Sequence, residues 1–378
     1  MNIEELVRSD LLNIKRPIHG GLGWKYQGVE DFSSNLNPLG PPPQVRDYML
    51  EAADKLIYYP DDTGMELKDA ISRRFGVNRD NIMLGSGSAE LIRLFPDVFI
   101  NRGDGVIMPR PTFAEYQFAL KMRGASIHDF PLCEIDGFHF DFARLNYMIE
   151  SGSKAVYICN PNNPTGVVES RKRIVEIIEE CEKQNTLVFL DETLLELVDN
   201  ARDLTCIAEA ESHENLFIIR SFTKCFAIPG LRVGYAIGSR DVIRHVDNAR
   251  LAWNLGQVEM HVAARLLDDC YGHIEKAGRL MAEEKSYLID AIRKTEVVSA
   301  SRPDAFFFFN RVNGGLDSKQ LKDLLLRSNV LVRDCGSFGR PFEKFARFAI
   351  KTHDRNVHLV EAFQRTAEIM ENLKSKGE

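Results

Sequence analysis

The sequence predicts an α/β protein with a mostly parallel, doubly wound sheet and a second, smaller α+β domain. From residue 43 to about 220, short apolar strand patterns alternate with helical patterns, which is typical of βαβ units. Beyond about residue 255 this alternation stops, and a long helical stretch leads to short strands and a last helix. We therefore expect a large domain over residues 41–255 and a small domain formed by residues 1–40 and 256–378.

The elements follow from apolar periodicity and from the Gly, Pro and Asn clusters that bound each run. The chain should begin with a short amphipathic helix. Further helices are predicted over 44–56, over 65–76, from about 89, after 116, over 170–184, from 257 to about 294, over 318–328 and from 355. Strands are predicted over 81–84, 105–108, 155–159, 186–190, 216–219, 305–309, 330–333 and 345–350.

The composition limits the partners and the compartment that we expect. The 378 residues carry a formal net charge of −7 with no basic block, so neither nucleic acid nor an anionic membrane is an expected partner. The seven cysteines are scattered without a C-x-x-C pair, which favours a reducing, cytoplasmic location. The first residues are acidic and lack the apolar stretch of a signal peptide. We expect no metal site, since the histidines are isolated or poorly spaced.

Candidate functional groups come just after the predicted ends of several strands. In parallel sheets these ends share one edge, which is where ligands bind. Each group alone has an ordinary structural explanation as a turn residue, a core ring, a helix cap or a lysine that extends to solvent. Their coincidence is a stronger signal. They are the turn from Gly85 to Glu90, Phe113, Asn163, Asp191 and Lys224.

Two of these stretches suit the binding of one phosphate and one aldehyde. The turn Gly85-Ser86-Gly87-Ser88-Ala89 leads into a helix N-terminus, where free N–H groups attract an anion. It is not a dinucleotide fingerprint, because Glu90 occupies the third glycine position. Lys224 lies between Ser221 and Thr223 on one side and Arg232 on the other. A lysine in such a setting can hold pyridoxal 5'-phosphate (PLP) covalently, although a buried turn with a solvent-directed lysine is an equal alternative at this point.

Five motifs together identify a family resemblance. The motifs are Gly87-Ser88-Ala89, Pro111-Thr112-Phe113, Asn162-Asn163-Pro164-Thr165-Gly166, Asp191-Glu192, and Ser221-x-x-Lys224 with Arg232-x-Gly234. At these motifs the chain resembles the fold-type-I PLP enzymes, over nearly its whole length. The resemblance implies the PLP-dependent transferase fold. It also implies a cofactor phosphate bound by Ser88, Ala89, Ser221, Thr223 and Arg232.

PLP chemistry gives the remaining groups specific roles. Lys224 would hold the cofactor, and Asp191, expected two strands away, would pair with the pyridine nitrogen. Phe113 would stack on the ring, and Asn163 would donate to its phenolate oxygen. Tyr59 resembles the tyrosine that reaches the cofactor phosphate of a neighbouring subunit, which implies a homodimer.

Within this family the chain is similar to two branches, the histidinol-phosphate aminotransferases and the threonine-phosphate decarboxylases of cobalamin biosynthesis. Several stretches are closer to the decarboxylases: His19-Gly20-Gly21, the loop from Phe32 to Gly40, the segment from Arg220 to Arg232, and Val332-Arg333-Asp334-Cys335. Leu194 stands where the aminotransferases usually have tyrosine.

These similarities lead to a specific expectation. The enzyme should decarboxylate an O-phosphorylated amino acid, with L-threonine O-3-phosphate giving aminopropanol phosphate. Arg347 resembles the arginine that binds the substrate carboxylate, and Arg333, His19 and Asn35 are candidates for the substrate phosphate. An aminotransferase of the histidinol-phosphate type is the alternative, and serine phosphate stays open as a substrate. A PLP-binding module of a transcription regulator is disfavoured, because the sequence contains no basic recognition helix.

Overall fold

The structure, a computed structural model, describes residues 1–21 and 23–374. Its strands are β1 (Glu30–Asp31), β2 (Ile82–Gly85), β3 (Gly105–Arg110), β4 (Ser126–Pro131), β5 (Ala155–Cys159), β6 (Leu187–Asp191), β7 (Leu216–Ser221), β8 (Gly234–Gly238), β9 (Phe307–Arg311), β10 (Val330–Leu331), β11 (Arg333–Asp334) and β12 (Phe345–Ala349). Its helices are α1 (Val45–Ala53), α2 (Met65–Phe75), α3 (Gly87–Phe99), α4 (Ala114–Met122), α5 (Phe142–Glu150), α6 (Arg171–Lys183), α7 (Ala201–Leu204), α8 (Phe222–Cys225), α9 (Arg240–Asp247), α10 (Gln257–Asp269), α11 (Tyr271–Arg293), α12 (Ser318–Leu326) and α13 (His353–Lys374).

The large sheet has seven strands in the order β2-β8-β7-β6-β5-β3-β4. Strand β8 runs antiparallel to both of its neighbours, and every other pair is parallel. Strands β5, β7 and β8 are buried along their whole length, which explains why their sequences are nearly continuous apolar runs. The expected mostly parallel, doubly wound sheet is confirmed.

Side chains alternate between the two faces of this sheet because successive residues of a strand point in opposite directions. One face carries an aromatic layer in which Tyr157, Phe189 and Phe217 pack with Phe95 of α3. The other face carries aliphatic residues of the same strands, including Val156 and Leu190. Burying each large side chain contributes roughly 1.5–3 kcal/mol, so these two layers fix the strand ends from which the site is built.

The C-terminal part forms a three-stranded antiparallel sheet in the order β11-β12-β9. The N-terminal segment joins it, because β1 pairs in parallel with β10 and the Ala349 amide donates to the Phe32 carbonyl at 2.8 Å. This pairing brings the loop after Phe32 towards the edge of the large sheet. The exact domain boundaries stay a prediction, since α10 packs on α1 and α2 before the chain enters α11.

The structure differs from the sequence-based expectations in several elements. The amphipathic helix expected at the N-terminus is wrong, since Ile3–Leu6 is a single 3-10 turn without buried residues. The helix expected over 257–294 is broken at Cys270 into α10 and α11. Strands β4 and β8 were not predicted. Strand β4 is a largely exposed edge strand and so lacks a continuous apolar run, and glycines at both ends of β8 weaken its strand pattern. Among the residues that the structure describes, no helix is both long and apolar enough to cross a membrane.

Candidate active site

A cleft of about 260 Å³ brings the carboxyl edge of the large sheet together with the N-terminal segment and the small sheet. Seven of the residues expected at the site line it: His19, Asn35, Phe113, Asn163, Lys224, Arg333 and Arg347. Leu194, Ser337 and Phe338 line it as well. The sequence separates these groups by more than three hundred positions, and the strand pairings collect them in one place.

Lys224 lies just after the end of β7, as expected, and belongs to the short helix α8. Its carbonyl accepts a hydrogen bond from the Asn37 amide at 3.0 Å, which ties α8 to the N-terminal loop. Burial lowers the pKa of the Lys224 amine to about 8, and the positive charges of Arg347 and Arg232 contribute to the same shift. Near neutral pH about a tenth of this amine is therefore unprotonated, far more than for a lysine of ordinary pKa, and the unprotonated amine is the form that attacks a carbonyl carbon.

Asp191 ends β6, which pairs directly with β7. The expected separation of two strands from Lys224 is thus wrong, because β6 and β7 are neighbours. The carboxylate is 4% exposed and accepts two hydrogen bonds, from the Tyr116 hydroxyl at 2.5 Å and from the Thr193 amide at 2.8 Å. Burial raises the pKa of Asp191. A cationic partner would offset this cost of burying the carboxylate.

An anion cradle lies between α3, α8 and β8. Ser88 and Ala89 belong to the first turn of α3, which Gly87 begins at φ +70°. Arg232 lies flat against this turn, since a Cβ on Gly87 would come within 2.4 Å of its Nη2 atom. The Arg232 Nη1 atom lies 3.5 Å from the Thr223 hydroxyl. Ser221 accepts from the Thr223 amide at 3.2 Å and so fixes the start of α8.

Phe113 and Asn163 both line the cleft at this edge. Phe113 precedes α4, and its ring meets the Tyr116 ring edge-on with centroids 5.6 Å apart. Asn163 follows β5 and accepts a hydrogen bond from Arg347 through its side-chain oxygen. This contact leaves the Asn163 amide nitrogen available as a donor towards the cleft.

The small sheet contributes two arginines from directly paired positions, Arg333 on β11 and Arg347 on β12. Arg347 is 7% exposed, donates to the Ser33 carbonyl at 2.6 Å, and keeps a buried Nε atom without a partner. Arg333 donates to the Ile18 carbonyl at 2.9 Å and to the Ser337 hydroxyl at 2.7 Å. Burial lowers the pKa of both guanidinium groups, that of Arg347 to about 10. Within the described chain neither arginine forms an ion pair with a carboxylate.

The N-terminal loop is held tightly against these basic groups. Asp31 accepts from the hydroxyls of Ser33 and Ser34, each at 2.6 Å. Lys351 donates to the Ser34 carbonyl at 3.3 Å, and burial lowers its pKa to about 8. The loop places Asn35 in the cleft with a buried side-chain oxygen that has no partner.

Two of the expected substrate and cofactor residues have other contacts in the described chain. The His19 Nε2 atom lies 2.7 Å from a carboxylate oxygen of Glu115 on α4, and its ring centroid is 5.9 Å from that of Phe113. Tyr59 lies outside the cleft, 80% exposed, with its ring 4.6 Å from that of Trp253. Such exposure agrees with a residue that would serve another subunit, but no contact within this chain tests that role.

Sequence reasoning missed Tyr116 and Lys351. Tyr116 follows Phe113 by three residues at the start of a helix, so its position on the same helical face could have indicated it. Lys351 comes directly after the apolar run that ends at Ile350, and a lysine following a buried strand was the available signal. Within the described residues, no group of three or more His, Cys, Asp or Glu side chains is arranged to hold a metal ion.

Comparison with known proteins decides the family. Residues 27–363 match the family model described as aminotransferase class I and II. The chain belongs to this family. A protein of Caldanaerobacter subterraneus subsp. tengcongensis, provisionally named a threonine-phosphate decarboxylase, is 33% identical over 92% of this chain and 93% of its own.

Two further relatives carry the other activity in their names. A histidinol-phosphate aminotransferase of Moorella thermoacetica is 30% identical over 89% of this chain and 86% of its own. The solved structure of the histidinol-phosphate aminotransferase from Clostridium acetobutylicum superposes with a TM-score of 0.82 at 28% identity and covers 89% of this chain and 99% of that one. The expected PLP-dependent transferase fold is thereby confirmed.

The cofactor of this aminotransferase class I and II protein is PLP. The residues present fit it. The Gly87 backbone, which has no side chain, and the Arg232 guanidinium beside it suit a phosphate. Lys224 provides an amine of lowered pKa, and the buried Asp191 carboxylate suits a cationic partner.

The role of the anion cradle can be tested by adding a side chain at Gly87. Gly87→Ala puts a Cβ where the Arg232 guanidinium lies, so Arg232 must move away from the phosphate position. We expect PLP to bind about tenfold more weakly or worse, since a hydrogen bond to a charged group contributes roughly 1.5–3 kcal/mol. Titration of the apo-protein with PLP, followed by absorbance, measures the affinity.

Gly103→Ala is the matched control, because Gly103 also has a positive φ but a Cβ added there would meet no atom within 4 Å. This change imposes the same kind of backbone strain far from the cradle and should leave PLP affinity unchanged. Equal losses in the two variants would show that strain alone weakens binding, and the cradle would be refuted.

Proposed function

We propose that this enzyme removes the α-carboxylate of L-threonine O-3-phosphate and releases aminopropanol phosphate, a step of cobalamin biosynthesis. The observation that carries the proposal is the pair of arginines at directly opposed positions of β11 and β12. Like charges directly opposite each other on a sheet destabilise it unless an anion lies between or beside them. Both guanidinium groups border the cleft that contains Lys224.

Two separate guanidinium groups suit a substrate that carries two anionic groups. Arg347 would bind the carboxylate and Arg333 the phosphate, with a planar fork that matches both anions. His19 and Asn35 would assist at the phosphate from the N-terminal segment. Histidinol phosphate carries a phosphate but no carboxylate, so it would offer the two guanidinium groups one anionic group instead of two.

The chain's own residues divide the remaining work. Ser88, Ala89, Ser221, Thr223 and Arg232 would hold the cofactor phosphate, Phe113 would cover the ring, and Asn163 would donate to its oxygen. Asp191 would pair with the pyridine nitrogen. When bound, PLP supplies an electron sink for the charge that remains on the substrate α-carbon.

Lys224 would hold the cofactor and then act as the proton donor. After the bond between the α-carbon and the carboxylate breaks, carbon dioxide leaves and the electron pair stays with the carbon. The protonated form of Lys224, which predominates below its pKa of about 8, would deliver the proton that replaces the carboxylate and become a neutral amine. Because Arg333 and Arg347 would hold both ends of the substrate, they would also set its rotation about the α-carbon and so decide which bond breaks.

Transamination of histidinol phosphate is the second candidate, and the relatives from Moorella and Clostridium favour it. Leu194 argues against it. This side chain is 6% exposed and lines the cleft, and it supplies no hydroxyl where the aminotransferases usually have tyrosine. Losing such a hydrogen bond to the cofactor costs on the order of 1 kcal/mol and alters the electronics of the ring.

Incubation of PLP-loaded protein with threonine phosphate, without any keto acid, tests the proposal. We expect carbon dioxide and an amine product in equal amounts over many turnovers. Arg333→Met should raise KM for this substrate by about tenfold or more through loss of a charge-assisted contact. The absence of carbon dioxide, together with amino transfer from histidinol phosphate once 2-oxoglutarate is added, would establish the aminotransferase instead.

Arg340→Met serves as the control for Arg333→Met. Arg340 is an exposed arginine of the following loop and does not border the cleft. Its removal changes the net charge of the protein by the same amount but should leave KM unchanged. Equal increases of KM in both variants would mean that only long-range charge matters, which would refute the role of Arg333.

We also propose a homodimer in which Tyr59 reaches the cofactor phosphate of the other subunit. Its support is a set of exposed apolar side chains close in sequence to Tyr59 or to Trp253, whose ring Tyr59 contacts: Leu50, Leu56, Ile57, Tyr58, Leu251 and Trp253. Exposed apolar surface of this kind is typical of interaction sites. Sedimentation velocity should give twice the chain mass of 42.9 kDa, and a monomer at assay concentrations would contradict the proposal.

The cytoplasm is the compartment that we propose for this enzyme. All seven cysteines are free, and six of them are buried. Unpaired thiols in these numbers suit a reducing environment.

A further inference from the structure

Tyr116 contacts the buried carboxylate of Asp191. Its side chain is 1% exposed, and its hydroxyl donates to Asp191 at 2.5 Å. The ring is fixed by aromatic neighbours on three elements, Phe113, Tyr157 and Phe189. The hydroxyl is therefore held beside Asp191, and it also interacts with the Cys159 thiol.

We propose that Tyr116 is a positioning residue that fixes the orientation of the Asp191 carboxylate and favours its ionised form, so that this carboxylate can bind the protonated pyridine nitrogen of PLP. The inference rests on the role given to Asp191 under the proposed function, but it holds equally for decarboxylation and transamination. Tyr116 acts only through Asp191 and contacts neither substrate nor cofactor in this role.

The surroundings of Asp191 explain why such a residue is needed. Burial disfavours the charged carboxylate, and the neighbouring Glu192 adds a like charge, so both raise the pKa of Asp191. The hydrogen bonds from Tyr116 and Thr193 lower it again. The other titratable groups that interact with Asp191 are Lys224 and the Cys159 thiol, whose own pKa burial raises strongly.

Tyr116 is a reliable donor over the whole working range of pH. Burial and the adjacent carboxylate raise the pKa of its hydroxyl well above the ordinary value. It therefore keeps its proton, and the hydrogen bond to Asp191 persists. A donor of this kind stabilises a carboxylate without adding a charge that would compete with the pyridine nitrogen.

Tyr157 provides a matched comparison within the same aromatic layer. It lies on β5, is fully buried, and has its ring 5.7 Å from that of Tyr116. Its hydroxyl has no hydrogen-bond partner among the residues that the structure describes. Tyr157→Phe therefore removes the same atom from the same layer without changing any contact to Asp191.

The experiment compares Tyr116→Phe, Tyr157→Phe and Asp191→Asn with the unchanged protein. We expect Tyr116→Phe to bind PLP about tenfold more weakly, because one hydrogen bond to a charged group is lost. Without the hydroxyl, Asp191 takes up a proton at a higher pH, so the acid limb of the absorbance titration of the bound cofactor should move to higher pH. Tyr157→Phe should show neither change.

Replacement of Tyr116 by 3,5-difluorotyrosine gives a second, independent variant. It retains the ring and the hydroxyl, and fluorine makes the hydroxyl a stronger donor. The acid limb should then move to lower pH, opposite to Tyr116→Phe. This variant also keeps the proposal testable if Tyr116→Phe fails to fold, which thermal unfolding of the apo-protein would reveal.

The outcomes separate this inference from the proposed function. If Tyr116→Phe behaves like Tyr157→Phe while Asp191→Asn loses PLP affinity, the role of Tyr116 is refuted and that of Asp191 stands. If Asp191→Asn binds PLP as the unchanged protein does, the role of Asp191 itself is refuted. An acid limb that does not move with difluorotyrosine would also overturn the inference.

Discussion

The central physical constraint on this cleft is the cost of burying several positively charged side chains away from water. Burial lowers the pKa of Lys224, Lys351, Arg333 and Arg347, four basic groups from segments far apart in the chain. The negative charge of Asp31 counteracts part of this lowering of the pKa at Arg347 and Lys351. Such an arrangement costs free energy in the empty cleft, and bound anions would offset the cost. A PLP phosphate, a substrate carboxylate and a substrate phosphate are anions of the required kind.

The rest of the fold holds these groups in place. The two packed faces of the large sheet fix the ends of β5, β6 and β7, from which Asn163, Asp191 and Lys224 follow. The pairing of β1 with β10 brings the N-terminal loop to the same edge. The backbone of this loop is held by side chains of the small domain, because Arg347 and Lys351 donate hydrogen bonds to the consecutive carbonyls of Ser33 and Ser34. Arg347 thus both positions the loop and supplies positive charge to the cleft.

The part of this structure that could be predicted from the sequence is the part encoded locally. Strand β5 was predicted with its full bounds, because a continuous apolar run ends at an Asn-Pro turn. The groups after the strand ends could be assigned to one edge because parallel strands share their direction. The adjacency of β6 and β7 and the reversed direction of β8 depend on which strands pair, and single-strand patterns carry no information on pairing.

Contacts between distant side chains escaped prediction for the same reason. The hydrogen bond from Tyr116 to Asp191 joins residues seventy-five positions apart, and that from Lys351 to Ser34 joins residues more than three hundred positions apart. The position of Tyr116 one helical turn after Phe113, and that of Lys351 after a buried strand, indicate the residues but not their distant partners. Their importance depends on burial and orientation, which appear only when the elements pack together.

The central claim is that this cleft replaces the α-carboxylate of its substrate with a proton. The most direct measurement is turnover of threonine phosphate in D₂O without a keto acid, with mass spectrometry of the amine product. Our account predicts an amine that has lost the carboxylate and carries one carbon-bound deuterium at the former α-carbon. Recovery of threonine phosphate with its carboxylate intact and its α-hydrogen exchanged for deuterium, without such an amine, would contradict it.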